Sequence, residues 1–90
     1  MSHAQLTESV RRLVGETFAR LCMDGAQEVR ESIMIRQGAY CGRRFETADG
    51  YAIWFVEEGQ IKVFRASGRM VEVLDLKDGA QARQVQRLAA

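Results

Sequence analysis

The sequence predicts an α+β domain: an N-terminal amphipathic helix packed on a five-stranded antiparallel β-meander, able to curl into a roll, followed by a short C-terminal helix. Three observations predict it. Apolar residues recur every three or four positions at the start, the period drops to two after Gly25, and short glycine-containing turns then divide the chain at close intervals. Ninety residues, 47% hydrophobic and 28% charged, suit one globular domain spanning 1–90. Folding at this size removes roughly two-thirds of the surface of the unfolded chain, so one modest core is expected.

Leu6, Val10, Leu13, Val14, Phe18 and Leu21 form the stripe of a helix over about residues 5–24. Ser2 or Thr7 can cap its start, and Gly25 stands where a left-handed residue would stop it. Val29–Arg36 then alternates as a first strand, Gln37-Gly38-Ala39 turns, and Tyr40–Thr47 makes a second strand. Asp49-Gly50 is a type I′ hairpin signal, since both central residues of that turn need positive φ. Tyr51–Val56 is apolar at every position, which predicts a central strand covered on both faces. Glu57-Glu58-Gly59 turns into a fourth strand, Gln60–Ala66, and Ser67-Gly68 into a fifth, Arg69–Leu76. Asp78 and Gln81 have capping-box spacing before a thin stripe of Ala82, Val85, Leu88 and Ala89, which predicts a marginal helix over 79–89.

The expected core is Leu13, Phe18, Leu21, Ile33, Ile35, Phe45, Ile53, Phe55, Ile61, Val63, Val71 and Val73. The alternate positions, Met34, Tyr40, Trp54, Phe64 and Met70, then form a second apolar face that a single helix cannot reach. The C-terminal segment, a curled sheet or a binding partner would have to cover it.

Catalysis has little support in the residues. Cys41, Ser32 and Ser67 are nucleophile types, but the only histidine, His3, lies in a terminal region expected to be mobile. Glu57 and Glu58 are adjacent and would point to opposite sides of a strand. Cys22 and Cys41, nineteen positions apart, lack zinc-ligand spacing, and no metal or other cofactor is expected. Gly38–Arg44 gathers glycines and cations but matches no phosphate-binding loop; Gly42 suits a bulge or the close approach of a neighbour. No secretory signal or membrane-spanning stretch is visible, so the expected location is the cytoplasm with both thiols reduced.

A net charge of +1 provides no long-range field towards nucleic acid or anionic membranes. The expected function is non-catalytic binding, by self-association as a homodimer or by contact with a protein partner through the second sheet face. Its candidate contact residues are Arg36, Tyr40, Arg44, Trp54, Lys62 and Phe64, types suited to interface cores. The alternative is a single-stranded nucleic acid or other anion on the same aromatic and cationic residues. An edge strand is a further route to self-association, with Arg30, Glu31 and Arg69 placed to guard it.

Overall fold

The computed structural model describes residues 2–23, 28–77 and 81–87, with Lys77 and the last segment described by their backbone. Helix α1 (His3–Arg20) precedes strands β1 (Arg30–Arg36), β2 (Ala39–Thr47), β3 (Gly50–Phe55), β4 (Gln60–Arg65), β5 (Met70–Lys77) and β6 (Gln81–Arg87). The strands form one antiparallel sheet in the order of the sequence. The α+β class and the meander are therefore as the sequence predicts. Among the described residues no ladder joins β1 to β6, so the sheet has two free edges.

A sixth strand lies where the sequence suggested a short helix. Residues 81–87 run along β5, while the remaining residues of the expected helix, 79–80 and 88–89, lie outside the described residues. A weak stripe provides little to dock a helix, whereas the free edge of β5 offers a row of backbone donors and acceptors.

Ser2 caps α1, and a reciprocal capping box forms as the Ser2 hydroxyl accepts from the Gln5 N–H while the Gln5 side chain accepts from the Ser2 N–H. At the other end Cys22 adopts φ 57°, the Met23 N–H donates to the Phe18 carbonyl at 2.7 Å, and the Cys22 N–H donates to that of Ala19 at 3.1 Å. This is a Schellman ending built on a cysteine. It closes the helix before Gly25, the expected stop, which lies outside the described residues.

Val10, Val14 and Phe18 pack from α1 onto Phe45, Ala52, Trp54, Ile61, Val63, Val71 and Leu74 of the sheet, with Met23 sealing the helix end. The face of β3 is thus the reverse of expectation: Ala52 and Trp54 point to the helix, while Ile53 and Phe55 lie with Tyr51 on the other side. The cause is one turn residue. Val56 belongs to a four-residue turn, so Phe55 pairs with Gln60 and Trp54 with Ile61; ending the strand at Val56 shifts the pairing and exchanges the faces. Ile33 and Ile35 were expected in the core, yet they extend past the helix at the β1 edge, 56% and 61% exposed.

The left-handed hairpin turn also sits elsewhere. Gln37 and Gly38, at φ 54° and 78°, form the type I′ pair between β1 and β2. Between β2 and β3 the turn is Ala48-Asp49, neither at positive φ, and Gly50 already belongs to β3. Gly50 is required for packing instead: a Cβ there would strike the Met23 methyl and the Phe64 carbonyl oxygen.

Candidate functional site

Cross-strand partners share a face of a pleated sheet, so the ladders define the side that α1 leaves uncovered. Its centre is Ile53, flanked along β3 by Tyr51 and Phe55 and across the ladders by Arg44 and Lys62. Phe64 stands opposite Tyr51 and Met70 opposite Phe64, while Met34 lies opposite Gly42 towards the β1 edge. These side chains are half-buried, and no described element lies over them.

The rings and cations of this face are already organised. Tyr51 and Phe64 stack with centroids 4.8 Å apart and planes 17° from parallel. The Arg44 guanidinium lies 4.1 Å from the Tyr51 ring centre, and the Lys62 ammonium 5.0 Å from that of Phe55. Arg44 also approaches Glu46 at 3.6 Å, and Asp75 faces Gln60 on the same side, so the surface carries both signs of charge. Strand β2 can pass close beside β3 because residue 42 is glycine: a Cβ there would collide with the Trp54 carbonyl oxygen. Cys41, the extra residue of a bulge, donates its thiol to the Met34 carbonyl at 3.4 Å and accepts the Val56 N–H at its own carbonyl.

Of the six candidate contact residues, Arg44, Lys62 and Phe64 meet on this face, with Arg36 at its β1 margin opposite Ala39. Arg36 also borders a hollow of about 360 Å³ with Tyr40, Cys41, Phe55, Glu57 and Glu58 at one end of the sheet. Trp54 and Tyr40 belong to the opposite side. Trp54 is fully buried beneath α1, and its indole N–H has no hydrogen-bond partner among the described residues. His3, rather than hanging from a loose terminus, opens the helix and stacks on Trp54 at 5.7 Å, with Tyr40 set edge-on to it at 5.5 Å. Sequence reasoning missed Tyr51, Ile53 and Phe55 as face residues. The signal for them was present in β4, where Ile61 and Val63 alternate with Gln60, Lys62 and Phe64 and so distinguish core from open side.

Two ion-pair groups hold the helix over the sheet. Glu31 accepts from Arg11 at 2.7 and 3.1 Å and from Arg43 at 2.7 Å, and Arg11 also pairs with Glu8. The hydrogen bonds from Arg11, and next those from Arg43, hold the Glu31 carboxyl below its ordinary pKa against the opposing effect of burial. Glu72, fully buried, accepts a two-pronged contact from Arg20 at 2.6 and 3.1 Å, which raises the pKa of the guanidinium. Cys22 and Cys41 are free thiols. Among the described residues, no helix is long and apolar enough to cross a membrane. The chain matches no known protein family, and no curated protein or solved structure is similar to it.

Proposed function

We propose that this chain is a non-catalytic binding domain whose open sheet face, centred on Ile53, receives a protein partner. One observation carries it: Tyr51, Ile53, Phe55, Phe64 and Met70 form a contiguous half-exposed apolar strip with no described element over it. Strips of this kind, edged by polar residues, mark sites of contact. The mixture of Arg44, Lys62, Glu46 and Asp75 around it suits the varied surface of a protein better than a uniformly anionic polymer.

A photo-crosslinking side chain in place of Ile53 tests this directly. In cells making the chain it should yield a discrete protein adduct that the same probe at exposed Glu57 does not give. The purified partner should bind wild type and lose at least about thirtyfold in affinity with Ile53→Glu, the loss expected of a central anchor.

The cations lying over Tyr51 and Phe55 favour a second reading, a single-stranded nucleic acid stacked on those rings. In that case a short oligonucleotide binds at low salt, and Arg44→Ala with Lys62→Ala flattens the salt dependence. Absence of the Ile53 adduct together with such binding would transfer the face to nucleic acid.

A further inference from the structure

We infer that strand β1 is a self-association edge, pairing antiparallel with β1 of a second copy about a two-fold axis at Ser32. The inner side of β1 is occupied by β2, and the outer side pairs with no described strand. Natural edge strands are guarded by charge, proline or extreme shortness. Here the strand has seven residues, the chain has no proline, and Val29, Ile33 and Ile35 are among its most exposed large hydrophobic residues. Glu31, the acid within the strand, is held inward by Arg11 and Arg43, which leaves Arg30 and Arg36 at its two ends as the exposed charges of the edge.

Charge selects the register. A two-fold axis at Ile33 would set Arg30 directly against Arg36 of the other copy, and like charges facing each other destabilise a ladder. An axis at Ser32 sets Arg36 beside the other copy's Glu28 and Ile35 beside its Val29, while Arg30 meets Met34 along its stem. An axis at Met34 joins Ile33 to Ile35 but leaves Glu28 and Val29 beyond the turn at Gln37-Gly38 without counterparts. The Ser32 register therefore joins Val29 to Ile35 and Glu28 to Arg36, and sets Ile33 beside Glu31 of the other copy, whose carboxylate its own Arg11 and Arg43 hold. Such an isologous pair closes on itself, and it joins two sheets into one with both Ile53 faces on the same side.

The full-length chain tests this by sedimentation at micromolar concentration and above. Wild type should run at twice the chain mass, Val29→Lys with Ile35→Lys, which sets lysine against lysine, should run as a monomer, and Ile53→Glu should remain a dimer. Val29 and Ile35 are exposed, so the double variant should keep the wild-type circular dichroism spectrum. In a Cys22→Ser, Cys41→Ser background, Ser32→Cys should oxidise to a covalent dimer, because facing residues of a ladder lie about 4.5–5.5 Å apart at Cα, within disulfide reach. Wild type that stays monomeric overturns the inference. So does a dimer broken by Ile53→Glu but not by the lysines, which would place self-association on the open face. Open-ended growth with concentration, the mark of β1 joining β6, or failure of the Ser32 cross-link in a dimer, overturns it as well.

Discussion

Gly42 and Gly50 show how single residues set the spacing of this sheet. Neither is needed for its backbone angle; each is needed because a methyl group would meet the backbone of another strand. Backbone cannot rotate away as a side chain can, so Gly42→Ala should cost about 1–3 kcal/mol, read from a urea midpoint. Trp54 is the largest fully buried side chain, and Trp54→Ala should cost about 3–5 kcal/mol. Trp54→Phe should cost less, since Phe leaves a smaller void while removing an indole N–H that has no hydrogen-bond partner among the described residues. A Trp54→Phe variant as unstable as Trp54→Ala would show that the indole makes an interaction there that neither replacement keeps. Glu31 makes stability depend on pH. Its folded pKa is depressed, so it contributes above the unfolded carboxylate pKa, and that contribution fades as pH falls through the folded value. The stability difference between wild type and Glu31→Gln should therefore be largest at neutral pH and close in acid.

Helix α1 is tied to the sheet at two places of different character. At β1 and β2 the Glu31 network is partly wet, where ion pairs contribute little each. At β5 the carboxylate of Glu72 is wholly buried and Arg20 is its cation. Arg20→Ala should cost about 3 kcal/mol by leaving that charge unpaired, whereas Arg20→Ala combined with Glu72→Gln should recover part of the loss. Additive losses in the double variant would mean that the two residues act independently. The same contacts explain why the helix is read so well from sequence: Val10, Val14 and Phe18 fall one turn apart and bury together, and the polar residues Thr7 and Thr17 on that face bond back to the His3 and Leu13 carbonyls. Strand β3 is the opposite case. Six consecutive apolar residues carry no alternation, so local pattern cannot say which three point inward.

For the molecule as a whole, one helix on a six-stranded sheet leaves one face and two edges unpartnered among the described residues. A second copy on the β1 edge and a protein on the Ile53 face would cover the face and one of the two edges without competing. The apparent melting temperature should then rise with chain concentration in wild type and not in the Val29→Lys, Ile35→Lys variant.

The sequence by itself determined the helix, the meander, its turn positions to within a residue, and the fact that the sheet has more apolar surface than one helix can cover. Those follow from local periodicity and from turn chemistry at residues such as Gln37-Gly38. Only the tertiary structure decided that Trp54 faces inward and Ile53 outward, that Ile33 and Ile35 lie beyond the helix, and that 81–87 extends the sheet. Each depends on a register or on which backbone edge is free, and register is a relation between strands: moving one residue, Val56, from strand to turn exchanges the two sides of the sheet while leaving every local propensity unchanged.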